Sequence, residues 1–300
     1  MKSFGLEKRI LSDIPSLLAL LSTHFPAISA QCWEISPLAG LSGGSFLVES
    51  HQSNYLLKLV ARADTHRQNA LYVSRRKEAR ILRQIQHLPF AQAVVAHNAE
   101  WLVLAWREGR HPSDKKFCSV EFQRELANTI ATLHCSPLLT YTLPLRAEIA
   151  HYGKRIDPQR FSPRWKRIHR DFLQKKMPKT LKLAPAHMDI HPKNILIQED
   201  GKLMLLDWEY TANTDIAFSL ETYFQFNNLT VHQRQQFLTQ YCDIQGAYHD
   251  KFQLMHHCNL WSPWVKYMTL MWYEVQWNES RHSDFLIHSQ PLRQYFSLLG

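Results

Sequence analysis

Residues 186–215, AHMDIHPKNILIQEDGKLMLLDWEYTANTD, decide how this chain is read. Asp189 and Asn194 stand five apart in the loop His187-Met188-Asp189-Ile190-His191-Pro192-Lys193-Asn194. Asp207 follows thirteen residues later, after the apolar run 203–206. Between them lie a short apolar strand over 195–197 and the turn Glu199-Asp200-Gly201. Asp-Gly between two apolar runs is a strong hairpin signal. A hairpin of this length is expected to bring its two open ends, Asn194 and Asp207, close together. An amide oxygen and a carboxylate so placed make half of a site for a hard cation such as Mg2+, which takes oxygen ligands. Asp189, on the loop just before, is left to take a proton.

This set of groups is the machinery of phosphoryl transfer. A loop H-x-D-x-x-x-x-N supplies a base from its Asp and a metal ligand from its Asn, and a later Asp also holds Mg2+. The pattern resembles the kinase-like small-molecule phosphotransferases, the family of aminoglycoside phosphotransferases, choline kinases and thiamine kinases. The matching residues are His187, Asp189 and Asn194, then Asp207-Trp208-Glu209 and Asp215-Ile216-Ala217. Protein kinases carry Asp-Phe-Gly at the second motif, and the glycine lets it flip; here Glu209 stands in that place. No Ala-Pro-Glu follows, and only seven residues separate Asp207 from Asp215. That leaves no room for a long activation loop to dock a peptide, so the expected acceptor is a small molecule. One reading of another class stays open. If residues 187–191 were extended, His187, Asp189 and His191 would share a face. With Asp207 they could ligate zinc or iron, as in a metal-dependent hydrolase; Pro192 and the pairing of Asn194 with Asp207 fit that less well.

The 300 residues allow one large domain or two lobes, and 45% are apolar, enough for a sizeable core. No apolar run reaches the ~18 residues of a transmembrane helix. The first eleven residues are too polar for a signal peptide. Cys32, Cys118, Cys135, Cys242 and Cys258 show no paired spacing, as expected of free thiols in a reducing cytoplasm. The net charge of +9 is local: residues 154–182 hold 11 Lys or Arg against two Asp, and the rest balances at 24 against 24. Ser162-Pro163 there reads as a helix start. Trp165, Ile168 and Phe172 then recur at helical spacing, an apolar stripe under a basic face. Such a face is most simply solvated; binding of single-stranded nucleic acid would interleave aromatics with the basic residues. No nucleic-acid or membrane partner is expected.

Upstream, a helix is expected from about Ser12, with Ile14, Leu17, Leu18 and Leu21 on one face. Strands are expected over 32–36, 46–49 and 55–60, the first two joined by Gly40-Leu41-Ser42-Gly43-Gly44-Ser45. A glycine-rich turn between strands can lay backbone N–H groups over phosphates. It is no Walker loop, since no Gly-Lys-Ser/Thr follows. Lys58 sits in the third strand among Leu56, Leu57, Leu59 and Val60. By the kinase resemblance it binds the α/β-phosphates of ATP, paired with Glu78 from the helix over 68–87. Strands over 94–95 and 101–106 complete a first lobe. The resemblance makes Arg107-Glu108-Gly109 a hinge, with adenine bonding backbone near Leu104 and Trp106.

Beyond the hinge, helices are expected over 121–134, 216–226 and 231–241, and over 249–277 with a break at Ser262-Pro263. The last is rich in aromatics, and a cationic acceptor prefers aromatic faces and a carboxylate. Gly40–Leu47, Leu206–Tyr210, and Pro263-Trp264 followed by Trp272-Tyr273-Glu274 look most like bacterial thiamine kinases.

The resulting expectation is an α+β, bilobal, protein-kinase-like fold. An N-lobe over 1–107 has a small antiparallel sheet and one main helix, and a C-lobe over 108–300 is mostly helical. Its implied cofactors are ATP and Mg2+, and its implied reaction is phosphorylation of a primary alcohol on a small cation: thiamine, or else choline, ethanolamine or an aminoglycoside. Asp189 is the expected catalytic base and Asn194 and Asp207 the metal ligands. Lys58, Glu78, Gly43, Gly44, Ser45, Leu104 and Trp106 face the nucleotide. Glu209, Trp264, Trp272 and Glu274 face the acceptor, and His187 and Asp215 are structural.

Overall fold

The computed structural model describes residues 3–38, 44–52, 55–64 and 73–298. In chain order the elements are α1 (Ser3–His24), β1 (Trp33–Pro37), β2 (Ser45–Gln52), β3 (Tyr55–Ala63), α2 (Arg75–Gln84), β4 (Val94–His97) and β5 (Trp101–Ala105). Then come α3 (Asp114–Phe117), α4 (Val120–Cys135), α5 (Leu145–Gly153), α6 (Pro163–Gln174), β6 (Leu183–Ala186), β7 (Ile195–Ile197), β8 (Leu203–Leu205), β9 (Ala212–Asp215), α7 (Ile216–Phe226), α8 (Val231–Cys242), α9 (Lys251–Ser280) and α10 (Asp284–Tyr295). The chain divides into two compact units: Met1–Arg110 with Leu196–Glu209, and His111–Ile195 with Tyr210–Gly300. The first unit therefore runs three residues past the expected boundary at 107, and it also takes the segment that carries Asp207.

In the first unit five antiparallel strands run in the order β1-β2-β3-β5-β4. Alternation along β3 puts Leu59, Ala61 and Ala63 into a core with Leu17 and Leu21 of α1, Val48, Trp101 and Val103. Lys58, Val60 and Arg62 consequently share the opposite face. The strand extends to Ala63 rather than ending at Val60, because β5 continues to pair with it down to Trp101 opposite Ala63. Helix α2 begins at Arg75, where the Ser74 side chain caps the Lys77 N–H.

The segment 196–209 is fixed to this unit by backbone hydrogen bonds. Arg110 and Ile197 exchange two, of 3.0 and 2.8 Å, and the Leu205 N–H donates to the Phe90 carbonyl at 2.9 Å. Gly109 lies so near that a Cβ there would stand 2.9 Å from the Ile197 carbonyl oxygen, so only glycine permits the approach. The expected hairpin forms between β7 and β8, closed by Gly201 N–H to Gln198 carbonyl, with Gly201 at φ +82°.

Among the described residues the second unit is mostly helical and carries the two-stranded β6-β9 ladder. Ser162 caps α6 through the Trp165 N–H; Trp165 and Phe172 are buried, and Arg164, Lys166, Arg167 and Arg170 are exposed. The break expected at Ser262-Pro263 is absent: α9 runs through Pro263. Proline inside a helix costs ~3 kcal/mol. The burial of Trp261, Trp264 and Val265 outweighs that, since each large apolar side chain contributes ~1.5–3 kcal/mol. No helix among the described residues is long and apolar enough to cross a membrane. All five cysteines are free.

Candidate active site

Five charged side chains of the first unit form one buried cluster. From β3, Arg62 donates to Glu78 Oε1 at 2.5 Å, to Asp207 Oδ1 at 2.6 Å and to Glu209 Oε2 at 3.3 Å. From the first turn of α2, Arg75 donates through Nη1 to Glu78 Oε2 at 2.7 Å and Glu209 Oε2 at 2.9 Å. Two guanidinium groups thus face three carboxylates, and one negative charge is in excess. Burial works against the Arg62 charge, but Glu78, Asp207 and Glu209 together hold it protonated more firmly than an ordinary arginine. The excess falls on Glu209, pushed up to about 7 by burial and by the Asp207 charge, against the pull of Arg62 and Arg75. Asp207 is the member nearest solvent, its side chain 27% exposed.

The expected pairing of Lys58 with Glu78 is corrected here. Glu78 is fully buried and bonded to Arg62 and Arg75. Lys58 lies instead 3.7 Å from Glu49 and 3.4 Å from Glu108, partly exposed. Both cations lie on one face of β3, but four residues of strand span ~13 Å, and α2 crosses at the Arg62 end.

Of the glycine-rich turn, Gly43 lies outside the described residues. Gly44 has φ +75° and its carbonyl accepts from the Ala63 N–H at 2.7 Å; Ser45 opens β2, and its carbonyl accepts from the Leu38 N–H at 2.8 Å. Leu104 is buried in β5 between β3 and β4. The Ala105 and Trp106 N–H groups are already bonded to the Ala93 and Lys58 carbonyls at 2.9 and 3.3 Å. An adenine there must use other backbone groups than these two donors.

The loop with Asp189 belongs to the second unit. Met188 is left-handed at φ +70°, and the buried His187 ring accepts the Asp189 N–H through Nδ1 at 3.3 Å. Asn194 ends a 3-10 turn that begins at Pro192. Its Nδ2 donates to the Asp189 carbonyl at 3.0 Å and to Asp189 Oδ2 at 2.8 Å, so its nitrogen faces the loop. His191 Nε2 is 3.7 Å from Asp189 Oδ2. Asp215 caps α7 through the Ala217 N–H at 2.9 Å, and its Oδ2 accepts from the Leu181 N–H and from Trp261 Nε1.

Three residues expected to face the acceptor do not. Glu274 is fully buried and accepts from Arg160 at 2.7 and 2.9 Å, from Arg293 at 3.2 Å and from Ser289 at 2.9 Å. Trp264 is core, edge-on to Phe172 at 5.0 Å. Glu209 is held by the two arginines of the first unit. Residue type within an aromatic or acidic motif suggests an acceptor role for each, but each is consumed by packing or by an ion pair. Trp272 is half-buried, with Nε1 donating to the Tyr210 hydroxyl at 3.2 Å and its ring edge-on to Tyr273 at 5.3 Å and Phe285 at 5.8 Å. Tyr273 stacks on His288, and its hydroxyl is pushed up by burial and by the nearby Asp189 charge. The Tyr273 hydroxyl is therefore within electrostatic reach of Asp189.

No group of three His, Cys, Asp or Glu among the described residues is arranged to hold a metal ion, which removes the zinc or iron hydrolase reading of His187, Asp189, His191 and Asp207. Asp207, a carboxylate that reaches solvent, is of the donor type that Mg2+ takes. That ion is held by one or two protein oxygens with the rest from water and phosphate.

The sequence profile of the phosphotransferase enzyme family matches residues 34–254, which include every one of these acidic residues except Glu274. The chain belongs to this family. Thiamine kinase from Salmonella paratyphi C is 29% identical over 273 residues, covering 89% of this chain and 90% of the relative. Thiamine kinase from Escherichia coli O1:K1 is 27% identical over 250 residues, 83% of this chain and 84% of the relative. In fold, the choline kinase LicA from Streptococcus pneumoniae superposes with a TM-score of 0.71 at 16% identity, covering 98% of this chain and all of the other. The family is one of small-molecule kinases with a protein-kinase-like fold.

Arg62 and Arg75 are the residues that sequence reasoning missed. Ending the third strand where its apolar run ends, at Val60, excluded Arg62. Alternation from Lys58 through Val60 would have found it. Arg75 carried a weaker signal, three residues before Glu78 on one helix face.

Proposed function

We propose that this protein transfers the γ-phosphoryl group of ATP to the primary alcohol of thiamine, in the cytoplasm. The likeness to thiamine kinases over more than four-fifths of both chains carries this reading. The Tyr273 ring, whose hydroxyl feels the Asp189 charge, supports it, because a cationic thiazolium is attracted to aromatic faces.

Asp189 aligns the acceptor hydroxyl and accepts its proton, held in place by Asn194 Nδ2 and by the His187 ring. Arg62, positioned by Glu78, faces the phosphates in place of Lys58. Asp207, and Asn194 through its carbonyl oxygen, would hold Mg2+, which neutralises charge on the β- and γ-phosphates when bound. The protein's part is positioning and charge complementarity rather than covalent chemistry.

The test is an ATP-consumption screen over thiamine, choline, ethanolamine and an aminoglycoside, with the product identified by mass. Thiamine monophosphate is expected; turnover of another acceptor with none on thiamine overturns the assignment. Asp189→Asn keeps the shape and removes the negative charge. It is expected to lower kcat by ~10²-fold, the range of general-base catalysis, with nucleotide affinity unchanged by calorimetry.

A further inference from the structure

Arg75 is 2% exposed, yet it joins three pieces of the first unit. Nη1 holds Glu78 at 2.7 Å and Glu209 at 2.9 Å, Nε donates to the Ala63 carbonyl at 3.1 Å, and its N–H reaches Asp64 Oδ2 at 3.3 Å. One side chain thereby ties the end of β3, the first turn of α2 and the turn that follows Asp207.

That turn needs fixing. Asp207 sits at φ +62°, a left-handed backbone that costs energy for any residue with a Cβ and persists only where the surroundings impose it. On one side Trp208 is anchored, its Nε1 donating to the Leu205 carbonyl at 2.9 Å and its ring stacked on Phe90. On the other side the anchor is Glu209. Arg62 is a poor substitute there, because its Glu209 contact is the longest of its three, at 3.3 Å.

We propose that Arg75 is the positioning residue of the metal-binding carboxylate. Through Glu209 it fixes the turn that orients Asp207. It touches neither nucleotide nor metal. Without Arg75 that turn loses its anchor; the negative charge left behind would by itself attract a cation, so a loss of Mn2+ affinity reports the orientation of Asp207 and not the charge of the cluster. The proposal rests on the reading of Asp207 as a metal ligand.

Mn2+ binding, read by electron paramagnetic resonance on nucleotide-loaded protein, and binding of a fluorescent ATP analogue in EDTA test it without any acceptor. Arg75→Met is expected to weaken Mn2+ binding at least ~10-fold, as loss of a group supporting a ligand does, and to change nucleotide binding in EDTA less than about two-fold. Arg75→Lys falls between, because one ammonium can meet both carboxylates as Nη1 does but has no second nitrogen for the Ala63 carbonyl. If Arg75→Met does not fold, the double variant Arg75→Met, Glu209→Gln removes the buried charge together with its partner, and weak Mn2+ binding is expected of it too. A folded single or double variant with wild-type Mn2+ affinity overturns the proposal and leaves Arg75 a purely structural residue. Wild-type protein that binds no Mn2+, or Asp207→Ala that binds it normally, overturns the reading of Asp207 and this proposal with it.

Discussion

Each unit buries a carboxylate–arginine cluster, and the two are opposite in balance. In the first unit two arginines meet three carboxylates, and one of these, Asp207, reaches solvent. In the second unit one carboxylate, Glu274, meets two arginines and a serine hydroxyl and has no exposed surface. A cluster with surplus negative charge and an open edge can recruit a cation. A cluster whose carboxylate is fully claimed can only hold helices together, here α9 to α10 through Arg293 and Ser289. Residue type does not separate the two cases; charge balance and exposure do.

The comparison breaks first at Asp207. Asp207→Ala is expected to lower turnover by ~10³-fold or more, the scale of losing a group that stabilises transition-state charge. Steady-state kinetics at saturating Mg2+ would show this, and near-normal turnover would put the two clusters in one class. Next is the choice of cation. Arg62→Met is expected to cost ~10²-fold or more in kcat, and Lys58→Ala less than about threefold, as for a partly exposed pair. The reverse order would return the phosphate-facing role to Lys58.

Glu274→Gln sharpens the contrast, because it strands Arg160 and Arg293. Denaturant unfolding should show a loss of ~3 kcal/mol, as when a buried ion pair loses a partner, with kcat per folded molecule unchanged. The smallest effect belongs to a neutral cluster in the second unit. His134 is buried between the Tyr241 hydroxyl and Ser219 Oγ, and burial with the Lys182 charge lowers its pKa to about 3. The unfolded chain protonates this ring near its ordinary value and the folded chain does not. Stability is therefore complete above about pH 6.5 and is lost as pH falls toward 3, by about 2 kcal/mol at pH 5. Urea unfolding of wild type and His134→Gln at pH 7.5 and 5 checks this: the variant should lose less on acidification.

What the sequence determined by itself is local. The Asp200-Gly201 turn, the hairpin around it and the cap of α6 at Ser162 each follow from neighbours within a few residues. Backbone preference and short-range hydrogen bonds decide such features, and both are legible in a one-dimensional string. The tertiary structure decided everything that depended on which residues meet. Strand alternation allowed both Lys58 and Arg62 on one face of β3, and the position of α2 selected Arg62. The aromatic run of α9 allowed Trp264 or Trp272 at the surface, and the packing of Phe172 selected Trp264 for the core. Pro263 predicted a break that buried contacts overrode. An ion pair or a packing contact gains its energy from proximity across long stretches of chain, which no local pattern records.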